Sequence, residues 1–401
     1  MKKSLLALAV LGAFAVTAQA QTNVTIGGVV QANVKSYSVG NTTRPSTNEL
    51  RVDDDYNSRF WLTGTEDLGG GNSGIFYIEN RLSTDVNNVQ ATGNGLANGD
   101  TWVGLKGGWG QVTVGKHSWM SVQGLTTELV AAKGLSAMPT SMLGTYSILN
   151  QAGGYLDITR RNNSITYRLP AMSGFNGTVG YSAASAGNEG NLACTGTGLT
   201  AIVSVVPAAG STTQTATCPQ LTSSLVTTGN YTAGSEFYLQ GGYANGPLSA
   251  SLAYRNQRAE GRTGLDDRQI RFSGFYKIPM GLKVGLQLDR ATRTTIATGG
   301  DVSRTAWSLP VSYVMGNSAI LASYTRAGDR GGVANTGAKM YMVGFDYALS
   351  ARTNAGVYYS KLNNDSAGIY QPFLAGTSFT GSGLAAGESA STLAVGVKHT
   401  F

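Results

Sequence analysis

Charge, histidine, cysteine and long apolar runs are all scarce in this chain. Only 13% of its 401 residues are Asp, Glu, Lys or Arg, and there are two histidines, His117 and His399, and two cysteines, Cys194 and Cys218. Beyond Gln21 no stretch approaches 18 consecutive apolar residues, which excludes a bundle of membrane-crossing helices. The two imidazoles fall too far apart in the strand pattern to share a site, so a Ser-His-Asp hydrolase would have to be built on one of them alone. No cluster carries metal-ligand spacing, and neither a phosphate-cradling loop nor a dinucleotide fingerprint leads from a strand into a helix, so no metal or cofactor is expected. The basic residues are scattered along strands instead of gathered in a patch, which argues against nucleic acid as a partner.

Glycine, with 55 residues, and tyrosine, with 19, are plentiful in a chain that is 41% hydrophobic. That balance fits neither a globular enzyme nor a disordered chain. Residues 1–20 have the form of a secretory signal: Lys2 and Lys3, an apolar run from Leu5 to Val16, and Ala18-Gln19-Ala20 as the cleavage site. An N-terminal anchor is the alternative, but the run is too short to span a bilayer. The formal charge of +7 falls to about +5 without Lys2 and Lys3, a mild preference for anions. If residues 21–401 sit in a membrane they must close into a barrel, because hydrocarbon satisfies no open backbone group.

The repeating unit is clearest from Ser58 to Arg81. Phe60 and Leu62 alternate with Arg59, Thr63 and Thr65, three glycines make a turn, and Phe76 and Ile78 then alternate with Tyr77, Glu79 and Arg81. Trp61 blurs the pattern. One face is greasy and the other carries charges that no core holds unpaired, so it must see water. About eight such hairpins follow one another. In the first strand Val24, Ile26, Val30, Ala32 and Val34 face out and Thr25, Gln31, Asn33 and Lys35 face in, before a polar loop over residues 39–57. Short turns at 107–110, 170–174, 245–247, 279–281, 316–317 and 350–351 alternate with long polar connections, among them 85–100, 118–159, 184–234, 259–267, 292–303 and 362–389. Short turns at one end, long loops at the other and 16 strands describe an all-β, antiparallel transmembrane barrel. Tyr167, Tyr313, Tyr324, Tyr347 and Tyr359 suit its aromatic girdles. A soluble sandwich would bury its inner faces and would not need charged ones.

Four stretches carry a family resemblance. SRFWLTGTEDLGGG, TWVGLKGGWGQVTVGK, RRNNSITYRLP and the closing Val397-Lys398-His399-Thr400-Phe401 resemble, in order, hairpins and strands of the Gram-negative general porins, most closely the β-proteobacterial branch. The resemblance implies a 16-stranded barrel in the outer membrane, a homotrimer, and a third loop, here after Lys116, folded inward to narrow the pore. It implies passive diffusion of small hydrophilic solutes and inorganic ions, with outer-membrane lipid around the wall. By strand parity Lys35, Arg59, Arg81 and Arg160 point into the lumen, and Arg59 and Arg160 match positions the family uses for its basic wall. Arg168, Arg255, Arg271 and Arg304 also point inward, and Glu79 pairs with a neighbouring arginine. The loop offers only Glu128 and Asp157 as opposing acids and lacks the family's usual Pro-Glu-Phe-Gly-Gly-like motif, carrying Met138-Pro139 and Met142 instead. A basic constriction favouring anions is therefore expected.

Cys194 and Cys218 both fall in the fourth loop of an exported chain, where a disulfide is expected to form. Closing about 25 residues would stabilise by about 3 kcal/mol in the chain-entropy view. Three other functions stay open: a substrate-selective porin for small organic anions, an adhesin or phage receptor using the long loops, and an outer-membrane phospholipase built on an outward histidine such as His399.

Overall fold

The computed structural model describes residues 23–40, 47–54, 58–82, 84, 96–120, 142–143, 160–183, 234–258, 265–295, 300–371 and 384–401. Within them the chain forms β1 Asn23–Gly40, β2 Thr47–Asp53, β3 Arg59–Gly69, β4 Asn72–Arg81, β5 Thr101–Gly107, β6 Gly110–Ser118, β7 Arg160–Arg168 and β8 Phe175–Ser182. The second half continues with β9 Ser235–Asn245, β10 Leu248–Arg258, β11 Leu265–Ile278, β12 Leu282–Thr295, β13 Gly300–Met315, β14 Ser318–Ala327, β15 Ala338–Ala348, β16 Thr353–Asn364 and β17 Ser389–Thr400. Every pairing is antiparallel, and the hydrogen-bonded order runs around the sheet until β17 meets β1.

Seventeen segments make 16 staves because β2 and β3 share one. β2 pairs with the upper part of β1, from Val39↔Thr47 to Asn33↔Asp53, and β3 with its lower part, from Val29↔Arg59 to Asn23↔Thr65. The gap between them falls opposite Gln31. Ser58 fills it: its Oγ accepts from the Gln31 N–H at 3.0 Å and donates to the Gln31 carbonyl at 3.2 Å, replacing the missing ladder bonds. The polar loop read over 39–57 therefore contains a strand. Glu49, Arg51 and Asp53 hid it: they share the inward face with Lys35 and Tyr37, and only Leu50 and Val52 alternate with them on the outside. β11 and β12 likewise extend to take in Asp267 and Arg293, which were read as loop residues.

Closure is covalent in neither sense, only hydrogen-bonded. Val30↔His399 and Val34↔Val395 lie in register, and Gly28 and Phe401 exchange two backbone bonds of 3.0 Å. The Phe401 ring lies where a Cβ on Gly28 would stand, 2.1 Å from it, so only glycine fits beneath that ring. A closed ladder leaves no edge to satisfy.

Alternation decides which side chains see lipid. On β13 Leu309 and Tyr313 are exposed, while Arg304, Ala306, Ser308 and Ser312 are buried on the inward face. Trp61, ambiguous in sequence, belongs to the inward set, with its ring against Gly27. Immediately after β6 the chain leaves the wall at Met120, where φ is 52°. Trp119 stacks on Tyr238 with centroids 5.5 Å apart and donates to Thr166 Oγ1 at 3.2 Å. Further along the same connection, Met142 and Leu143 are fully buried in one apolar cluster with Tyr37, Val39, Ala306, Met340 and Leu362. Residues 1–20, Glu128, Asp157, Cys194 and Cys218 lie outside the described residues.

Candidate functional site

Arg59 on β3 and Arg81 on β4 are register partners, so adjacent staves aim two like charges into the same space. Glu79, two residues before Arg81 on the same face, is the group that holds them there. Its Oε1 lies 2.9 Å from Arg81 Nε and 3.4 Å from Arg160 Nη2, and its Oε2 lies 3.5 Å from Arg59 Nε. The Tyr77 hydroxyl donates to Oε2 at 3.1 Å. Gly99 makes room, since a Cβ there would meet the Glu79 side chain at 2.5 Å. Asp100 takes Arg160 Nε at 3.2 Å and is itself fixed by the Ser118 hydroxyl at 2.6 Å.

Three guanidiniums thus surround one buried carboxylate, with a second at the rim, and the group keeps a net positive charge. Side-chain exposure separates the signs: Glu79 is 8% exposed, against 21% for Arg59 and 16% for Arg160. A solute in the lumen meets the cations first.

The motif repeats around the wall. Glu236 sits between Arg161 and Arg255, and Asp289 between Arg271, at 2.8 Å, and Arg304, at 3.1 Å. Arg271 also donates to the Met120 carbonyl at 2.9 Å, tying the start of the long connection to the opposite staves. Lys35 faces inward as its parity predicts but belongs to a separate group, bound to Asp53 at 2.7 Å and in register with Arg51. These four groups hold eight basic side chains against five carboxylates, a surplus of +3. Such fields act through the lumen even from buried charges.

Beside the arginines runs a file of rings. Arg59 lies over Trp61 with its guanidinium 5.9 Å from the centroid, Tyr77 stacks on Trp102 at 5.6 Å, and Trp102 on His117 at 6.2 Å. His117 Nδ1 is 2.7 Å from Ser164 Oγ, yet this is no nucleophile and base. The Ser164 hydroxyl has the Gly115 and Arg161 carbonyls at 2.8 and 3.0 Å, and the other ring nitrogen meets Thr113 instead of a carboxylate. His399 faces outward beside Thr353.

Arg59, Glu79, Arg81 and Arg160 are therefore brought together, Lys35 is on the same inner wall, and Arg255, Arg271 and Arg304 line it further round. Sequence reading missed the acids Asp53, Asp100, Glu236 and Asp289, and missed Arg161. Asp53 and Asp100 stood in apparent loops; Arg161 has the wrong parity for the inside until the bulge at Gly115/His117 and the left-handed Asn163, φ 49°, shift it inward.

Known proteins share this fold. A family model described as Gram-negative porin matches residues 7–367. Outer membrane porin protein 32 of Delftia acidovorans is 28% identical over 403 residues, covering 100% of both chains. Among solved structures, an anion-selective porin from Comamonas acidovorans superposes with a TM-score of 0.70 at 23% identity, covering 95% of this chain and 100% of that one. The trimer form of OmpT from Vibrio cholerae gives 0.62 at 12% identity, covering 95% and 99%.

Proposed function

The chain belongs to the Gram-negative porin family and is a passive outer-membrane channel for small hydrophilic solutes, and we propose that its lumen favours anions. The observation that carries this reading is the Arg59–Arg81–Arg160 group around Glu79, whose carboxylate is buried while its guanidiniums keep exposed edges. Rings of one charge sign at a constriction set ion preference in water-filled pores. The similar porin from Comamonas acidovorans, described as anion-selective, supports it.

The third loop, between β6 and β7, folds inward in this reading and narrows the pore. Its support is the pair of anchors: Trp119 and Met120 held by Tyr238 and Arg271 at one end, and Met142 with Leu143 in the cluster under β13–β17 and β1. Residues 1–20 are a cleaved export signal, residues 21–401 are the mature barrel, and the assembly is a homotrimer, as in the trimeric relative. The same reading takes Glu128 and Asp157 as the loop's opposing acids and Cys194 with Cys218 as a disulfide of the fourth loop.

A second reading, selectivity for small organic anions, is favoured by Trp61, Tyr77 and Trp102 standing beside Arg59. An aromatic carboxylate could meet a cation and a ring together. Planar-bilayer recording across a KCl gradient tests the first: a reversal potential on the cation side would overturn it. Stronger block of the chloride current by benzoate than by acetate tests the second.

A further inference from the structure

We propose that the inner wall across β11–β14, beneath the third loop, binds a cluster of ordered water molecules on the Gln287 carboxamide, so that the loop is seated on a hydrated slot and not on dry packing. The inference rests on the reading in which that loop folds inward.

Register places the slot. One inward row runs Ser273, Gln287, Ser308 and Thr325 across the four staves and ends on Met340 of β15. All four polar members are buried, Gln287 and Ser308 completely. On the loop side of the row stand Arg271, Asp289 and Ala306, and on its turn side Phe275 and Gly285. The row therefore lies just below both places where the third loop is held. Arg271 takes the Met120 carbonyl at 2.9 Å, and Met142 with Leu143 shares an apolar cluster with Ala306 and Met340.

Buried polar side chains in that position need partners. Ser308 and Thr325 have one in each other, at 2.8 Å. Gln287 does not: among the described residues neither its Oε1 nor its Nε2 meets a hydrogen-bond partner. Asp289, two residues along on the same face, is already taken by Gln269 at 2.8 Å, Arg271 at 2.8 Å and Arg304 at 3.1 Å. A buried carboxamide with both ends unpaired is costly, and relief requires a group that donates to its oxygen and one that accepts from its nitrogen. Water does both, and a buried water asks for about three polar partners. Gln287 offers two, and the hydroxyls of Ser273 and Ser308 stand on the adjoining staves.

The surroundings select a neutral occupant. Ser273, Gln287, Ser308 and Thr325 carry no charge, and the Asp289 group above them pairs its own ions, so neither sign of lumenal ion is favoured in the slot. The flanking serines are short, on a wall whose neighbouring inward positions hold Phe275, Met340 and Met342. Water here makes the contact between loop and wall exchangeable along its middle while both anchors hold.

The test is size-graded thiol access. Ser308→Cys is made in a chain carrying Cys194→Ser and Cys218→Ser. Met342→Cys, in the apolar cluster on the turn side of the row, is the dry control, and Lys106→Cys, exposed on the inward face opposite Ser73, is the lumen control. Folded barrels, recognised by heat-modifiable migration, are treated in nitrate buffer with silver ion, which is as small as water, or with the bulkier 2-sulfonatoethyl methanethiosulfonate. The remaining thiol is counted after unfolding. The expected result is complete loss of the Ser308→Cys thiol to silver and none to the sulfonate, with Lys106→Cys lost to both and Met342→Cys to neither. A Ser308→Cys thiol that survives both reagents means a dry seat and overturns the proposal while leaving the inward loop standing. Loss to both reagents means open lumen, and overturns the proposal and the inward loop together. Gln287→Met supplies an independent sign: expelling water from the two serines should lower the thermal midpoint. A midpoint raised or unchanged would show an amide that was merely unpaired, and would also overturn the proposal.

Discussion

Arg59 and Arg81 stand directly opposite each other across β3 and β4, and the carboxylate that reconciles them belongs to neither register position but to Glu79, opposite Trp61. Paired acids in a pore are ordinarily read as neutralising their partners. Here one acid organises three cations, so removing it should change structure and selectivity in opposite senses.

Glu79→Gln should therefore lower stability by about 3 kcal/mol, because three guanidiniums lose the buried carboxylate they share. In the same variant, channels that do form should show a reversal potential displaced further to the anion side. Urea unfolding of the detergent-solubilised barrel and bilayer recording read the two effects separately. A displacement toward the cation side would show that Glu79 is not screening the arginines.

Arg160→Ala removes one guanidinium and frees Asp100. The anion-to-cation permeability ratio should drop by about fivefold, the effect of losing roughly 1 kcal/mol of Coulomb attraction at short range in a watery pore. Selectivity in the unmodified channel should weaken as salt rises from about 0.01 to 1 M, as the screening length shrinks from about 30 to 3 Å. Reversal potentials at fixed gradient ratio but different absolute KCl would check this.

Gly28→Ala places a methyl group where the Phe401 ring lies. Overpacking of this kind costs about 1–3 kcal/mol, here at the seam of the barrel. The fraction of heat-modifiable, folded protein after refolding should fall, whereas Val30→Ala, exposed on the same strand, should refold normally.

Met142→Ala with Leu143→Ala empties the apolar cluster that receives the middle of the third loop. Each truncation removes about 2–5 kcal/mol of packing in a fully buried setting. Single-channel conductance should rise and become noisier as the loop loses its seat. Unchanged conductance in a folded channel would mean that this loop does not set the pore.

Most staves were legible because they keep a period of two between water on one side and lipid on the other. TWVGLKG could be delimited to the residue for that reason. What escaped was everything depending on neighbours. β2 reads as loop until β1 is seen to need a partner above Gln31, and Trp61 reads as a violation until Gly27 is seen beneath it. The arginines were visible as inward charges, but their acids were not, since Asp100 and Asp53 lie at strand ends where no alternation vouches for them. Arg161 required a bulge that leaves no sequence signature of its own.

The seam between β1 and β17 also has a temporal meaning. It joins segments separated by nearly the whole chain, so its loop-closure entropy is met only after every other stave exists. Until then each partial sheet presents two open edges able to recruit another strand. Assembly of this barrel is thus a race between its own β17 and foreign strands for the free side of β1. The Phe401–Gly28 contact closes that race, because a strand without an aromatic ring at that register cannot cover the bare backbone in its place.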